Sequence, residues 1–115
     1  MKVKTKDLIG AQLDWAVGIA QRPDDLKRFG RLVRTGRYSP STDGSQGIKI
    51  IEDHAINTGT QRNEPGFRPH PDYMWHAQMD TRVHSGYGPT LLIACMRCFV
   101  ASKWGDEVEV PDELA

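Results

Sequence analysis

Lys2-Val3-Lys4 alternates around one apolar residue and predicts a short strand or extended lead-in over Met1–Thr5. From Thr5 or Asp7 the spacing becomes helical. Ile9, Leu13, Ala16 and Ala20 form one stripe with Val17 at its edge, and Leu8, Trp15 and Ile19 widen the apolar face. Gln12, Asp14 and Gln21 are left for solvent. Gly10 and Gly18 each weaken this helix by roughly 1 kcal/mol relative to alanine, so packing must hold it. Pro23-Asp24-Asp25 predicts a second helix start, with acids at the positive end of the macrodipole. Leu26, Phe29, Leu32 and Val33 recur at helical spacing, Lys27, Arg28, Arg31 and Arg34 cover the other faces, and Gly36 is the stop.

A run of small polar residues, Tyr38 to Gly47, has the composition of a structured loop. Gly47–Glu52 follows as a β-branched strand bounded by turn residues. The polar stretch from Asp53 to Pro71 offers little to bury and is expected to be an exposed, flexible excursion. Tyr73–Met79 alternates as a second core strand, and Thr81–His84 is expected either to pair with it or to lead away. Gly88-Pro89-Thr90 then starts a helix, Pro89 standing where its missing N–H costs nothing. From Leu91 to Trp104 the side chains are apolar or small almost all round, interrupted by Arg97, Ser102 and Lys103, as in the buried centre of a domain. Gly105 caps this helix, and Val108, Val110 and Leu114 can dock an otherwise acidic tail. The order predicts one α+β domain over residues 1–115: a small, mostly antiparallel sheet packed by an N-terminal helix and a buried C-terminal helix.

Composition narrows the function classes. With 38% hydrophobic and 26% charged residues the chain suits a soluble globule. Its longest apolar run, Leu91–Ala101, is broken by Arg97 and is shorter than the roughly 20 residues that span a bilayer. The absence of a leader pattern and of a disulfide framework points to a reducing cytosol rather than to export or a membrane. Fifteen bases balance fifteen acids, which argues against duplex DNA as a partner. The balance is uneven, however. Met1–Arg37 holds nine bases against four acids, and the remainder six against eleven. The two parts can satisfy each other internally, or the basic part can meet a phosphorylated ligand.

Three constellations invite chemistry. Cys95-Met96-Arg97-Cys98 has a metal or redox spacing, but Cys95 falls mid-helix among Leu92, Ile93 and Phe99, where a thiol is simply a small hydrophobe. His54, His70, His76 and His84 lack an evident nucleophile and orienting acid, so no catalytic residue, metal or cofactor is assigned. The loop is the richest feature. Tyr38, Ser39, Ser41, Thr42, Asp43 and Gln46 supply the hydroxyl, amide and carboxylate groups that a polar ligand needs. Gly88, Pro89 and Thr90 open a helix whose free N–H groups, those of Thr90 and the next residues since Pro89 has none, can receive an anion.

Several of these residues carry a resemblance. Lys4-Thr5 through Leu13-Asp14-Trp15-Ala16-Val17, Tyr38-Ser39-Pro40-Ser41-Thr42-Asp43, and Gly88-Pro89-Thr90 through Met96-Arg97, Val100-Ala101-Ser102 and Gly105-Asp106-Glu107-Val108 resemble the NinX-like family of short bacteriophage proteins of unknown function. The likeness runs nearly end to end and is least over residues 53–71. Gly44 stands where the family pattern has an aromatic, which removes a stacking role there. The resemblance implies an accessory phage product in the host bacterial cytoplasm, and it implies no activity.

Two readings follow. In the first, the protein is a non-enzymatic binder of a small polar or phosphorylated, nucleotide-like ligand, such as a host signal to be sequestered. Tyr38, Ser39, Ser41, Thr42, Asp43 and Gln46 face Gly88-Pro89-Thr90, with Trp75 as a wall. In the second, it is an interaction module that meets a host or phage protein through the basic 27–37 stretch or the acidic tail. A small hydrolase ranks below both. Self-association into a homo-oligomer is compatible with either.

Overall fold

The computed structural model describes residues 1–60, 74–79 and 84–114. Strand β1 (Lys2–Lys4) leads through a 3-10 turn at Thr5–Asp7 into α1 (Gly10–Gln21), then α2 (Leu26–Arg34) and α3 (Gly44–Asp53). Strands β2 (Asn57–Thr60), β3 (Trp75–Met79) and β4 (His84–Gly88) precede α4 (Leu91–Trp104) and β5 (Glu107–Glu109), and a 3-10 turn at Asp112–Leu114 follows. The α+β class holds, with two small antiparallel sheets, β1–β5 and β2–β3–β4.

Helix α4 is the frame. Every residue from Ile93 to Val100 is buried, so the helix has no wet side over two turns. It lies along β4 and β3 and takes α1 and the start of α3 against it. Phe99, Met96, Cys95, Cys98 and Val100 interlock with Leu8, Leu13 and Val17 in one core. The approach of α4 to β4 is backbone to backbone: a Cβ on Gly86 would stand 2.5 Å from both the Ala94 carbonyl and the Cys98 nitrogen. Thr90 caps α4 by accepting from the Ile93 N–H at 3.1 Å, which places Pro89 one residue before the cap. Gly105 closes the helix at φ +80°.

Three expectations change. Residues 47–52 form the body of helix α3 and not a strand. The Asp43 carboxylate caps that helix, and Gly47 and Ile50 turn inward beside half-buried Ile51 and His54, a helical stripe that leaves Ile48 exposed. Local capping thus overrides the β preference of three isoleucines. Second, α1 begins at Gly10, so Ile9 is outside the stripe and 54% exposed, whereas Leu8 is fully buried. Third, Asp14 is buried. Of the segment 53–71, Asn57–Thr60 pairs with β3; residues 61–71 lie outside the described residues, as do Tyr73 and residues 81–83.

The chain ends are joined by the second sheet. Lys2 stands opposite Glu109 and Lys4 opposite Glu107, flanking the Val3–Val108 pair, so opposite charges face across the ladder. Arg34 meets Glu113 at 3.1 Å, linking the basic stretch to the acidic tail.

Gly86→Ala is expected to destabilise the protein by about 3 kcal/mol, because rigid backbone must move. Gly30→Ala, where a Cβ would meet open space in α2, is expected to stabilise it by about 1 kcal/mol. Chemical unfolding of the two variants measures both, and equal effects would contradict the packing described.

Candidate functional site

The polar block at 38–47 is a braced turn whose groups largely serve one another. The Ser39 carbonyl accepts from the Thr42 N–H at 3.1 Å and the Asp43 N–H at 2.8 Å, and from the Thr42 hydroxyl at 3.5 Å. Gln46 bridges the turn, its Oε1 accepting from the Ser39 N–H at 2.9 Å and its Nε2 donating to Asp43 Oδ2 at 3.1 Å. Asp43 Oδ1 accepts from Ser45, both N–H at 3.0 Å and hydroxyl at 2.7 Å. These bonds, those of Ser45 foremost, hold the Asp43 carboxyl below the ordinary range. Tyr38 accepts from Gln21 Nε2 at 2.6 Å while its ring packs on Phe29; burial, opposed by Gln21, pushes its phenol up to about 12.

A buried acid that the helical pattern assigned to water fastens this turn to α1. Asp14 Oδ1 accepts from the Ser41 N–H at 2.8 Å. Burial raises the Asp14 pKa, and the Ser41 hydroxyl and amide work against that rise. The Ser41 hydroxyl is itself buried and, although near enough to influence the acid, completes no well-formed hydrogen bond among the described residues.

The two signature blocks are neighbours. A Cβ on Gly47 would stand 2.6 Å from both Leu92, in the first turn of α4, and the Pro40 carbonyl. Trp75, half-buried, stands opposite Gly88 in the β3–β4 ladder. The contact is nevertheless one of packing, since the Thr90 hydroxyl already caps α4. Three hollows in the described surface, one beside Arg97 and two beside Trp15, are lined by neither block.

The hollow beside Arg97 gathers the groups suited to a ligand. It encloses about 520 Å³ between the start of the chain, β4 and the end of α4, and is lined by Lys4, Thr5, Lys6, Ser85, Tyr87 and Arg97 together with Gly86, Ala101, Asp106 and Glu107. Pockets of roughly 300–1,000 Å³ suit small molecules. Arg97 is buried, its Nε donating to the Leu8 carbonyl at 2.8 Å and its Nη1 to the Tyr87 carbonyl at 2.9 Å. Thr5 Oγ1 donates to the Gly105 carbonyl at 2.6 Å and fixes the rim. Tyr87 carries a stacked His76 ring, with centroids 4.6 Å apart. The signals in the sequence are the one cation amid the apolar middle of the helix and the Lys4-Thr5-Lys6 triplet, and they read more readily as an interruption and a lead-in.

Both cysteines are buried, and burial, with the Cys98 thiol as a lesser cause, pushes Cys95 up to about 12, far from a reactive thiolate. Among the described residues no cluster of His, Cys, Asp and Glu could hold a metal ion, and no helix is long and apolar enough to cross a membrane.

The family model for Bacteriophage P22, NinX matches residues 4–103. The chain belongs to this family. The matched stretch includes the braced turn, the whole of α4 up to Lys103, and Lys4, Lys6, Ser85, Tyr87 and Arg97 of the hollow. Membership makes the protein a phage accessory protein. No curated protein matches the chain.

Asp14 gives a pH signature. The folded state holds its proton more tightly than the unfolded chain, so this group's contribution is full below the ordinary value of 3.8 and is lost as pH rises through the raised value. Asp14→Asn keeps an acceptor for the Ser41 N–H without the charge. The unfolding free energy of the parent is therefore expected to fall relative to Asp14→Asn as pH rises above the ordinary carboxyl value of 3.8. Asp14→Ala, which orphans the amide, should cost about 1–3 kcal/mol.

Proposed function

We propose that this NinX-family protein is a non-enzymatic binder of a small phosphorylated, nucleotide-like molecule in the host bacterial cytoplasm. The hollow beside Arg97 is the seat. The observation that carries the reading is the convergence of Lys4, Lys6 and Arg97 on one concavity of about 520 Å³ that is also lined by Ser85 and Tyr87. Cations outnumber the two acids of the lining, and neither lysine makes an ion pair among the described residues. A desolvated phosphate gains most from such charge-assisted contacts. The Tyr87–His76 stack gives a base a flat surface beside them.

The binding groups thus differ from those the polar block suggested. Tyr38, Ser39, Asp43 and Gln46 hold the turn and α1 together, and their part in binding is to keep the frame rigid. Asp106 and Glu107 in the lining select against ligands of excessive negative charge.

Calorimetric titration with nucleoside mono-, di- and triphosphates and with inorganic phosphate tests the reading. At least one nucleotide is expected to bind, more weakly as salt rises. Lys6→Ala and Lys4→Ala should each lower its affinity by about tenfold, whereas Thr42→Ala, on the polar turn, should leave it unchanged. Silence across the panel, or a loss confined to Thr42→Ala, would overturn the assignment.

A further inference from the structure

The two hollows beside Trp15 adjoin, sharing Trp15, Leu26 and Pro111, and form one groove between α1–α2 and the C-terminal segment. Its walls are apolar: Trp15, Ile19, Leu26, Trp104, Val108 and Val110. Six large hydrophobic side chains are exposed among the described residues, and three of them, Met1 at 42%, Leu26 at 52% and Trp104 at 42%, stand in this groove. Gathering of that kind marks a surface made for contact.

The charges divide along the groove. One hollow is edged by Lys27, Arg31 and Arg34, the other by Glu107, Glu109 and Asp112. Internal pairing does not cancel them. Arg34 is taken by Glu113, but Lys27 and Arg31 make no ion pair among the described residues. Glu109 and Asp112 share the single Met1 ammonium, at 2.9 and 3.2 Å, and Glu107 makes no ion pair among the described residues. Among the lining groups, Lys27 and Arg31 remain over at one end and the carboxylates outnumber the Met1 ammonium at the other, where Lys2 and Lys4 stand across the β1–β5 ladder from Glu109 and Glu107 without closing an ion pair among the described residues.

We infer that the groove is a self-association surface whose occupant is a second copy of this chain. A patch that is apolar at its centre and bipolar along its length is self-complementary under a two-fold axis through the centre. The basic end of each copy then meets the acidic end of the other, while Leu26 and Trp104 are covered mutually. A chain with no net charge meets its own copy without general repulsion. The hollow beside Arg97 lies outside the patch except for Glu107, so dimer formation and nucleotide binding can each stand or fall alone.

Sedimentation velocity on the full chain, from micromolar to millimolar concentration, tests this. A monomer–dimer equilibrium that weakens in salt is expected. Lys27→Glu with Arg31→Glu should raise the dimer dissociation constant by about tenfold or more, as should Glu109→Lys with Asp112→Lys. Mixed one to one, the two variants should pair with each other, because every end then meets its opposite. A parent that stays monomeric throughout, reversals that leave association unchanged, or a mixture that fails to pair would each overturn the inference. Leu26→Ser serves as an uncharged control, expected to weaken the dimer with little change in salt dependence.

Discussion

The structure turns on one buried cation. Arg97 lies mid-way along a helix with no wet face, and a guanidinium there is tolerable only if its donors are met. Two of them are met by main chain on separate elements, the Leu8 carbonyl ahead of α1 and the Tyr87 carbonyl in β4. A planar fork can bridge two fixed carbonyls in this way, and a lysine ammonium cannot do so with the same geometry. The side chain thereby sets the separation of the N-terminal segment from β4, and the hollow opens along that gap.

The remaining wall comes from the joined chain ends. β1 and β5 are short, and a two-stranded ribbon of three residues each has little stability of its own. It is held by Val3 and Val108 between facing Lys and Glu residues, by Thr5 donating to Gly105, and by the Thr5 N–H bonding the Asp106 carbonyl at 2.8 Å. These contacts bring Lys4 and Lys6 over the C-terminal half of α4. Away from the hollow, the braced turn at 38–47 supplies rigidity: Asp14 ties it to α1, Asp43 starts α3, and Gly47 lets the turn settle on Leu92.

Much of the fold was legible because it follows from burial. The nearly all-round apolar surface of 91–104 announces a central helix, the alternation of 73–79 a strand that the structure shows over 75–79, and Val108 and Val110 a docked tail. Residues 47–52 misled because isoleucine favours strands, while the deciding contact was a cap four residues upstream. Asp14 misled because a carboxylate is normally wet, and its partner is an amide 27 positions away that no spacing rule reveals. The candidate site was harder still. Hydroxyl-rich composition drew attention to a turn that uses those groups for its own hydrogen bonds, whereas Lys4, Lys6, Ser85 and Arg97 meet only through tertiary contacts.

Native-state hydrogen exchange on Arg97→Met measures the central constraint most directly, since the substitution keeps an apolar stem and removes the fork. The Leu8 and Tyr87 carbonyls then lose their donor, and stability should drop by about 3 kcal/mol. Protection should fall first at Thr5, Leu8 and β4, with α1 retaining its own until global unfolding. Unchanged stability with an unaltered protection pattern would contradict the organising role given to this side chain.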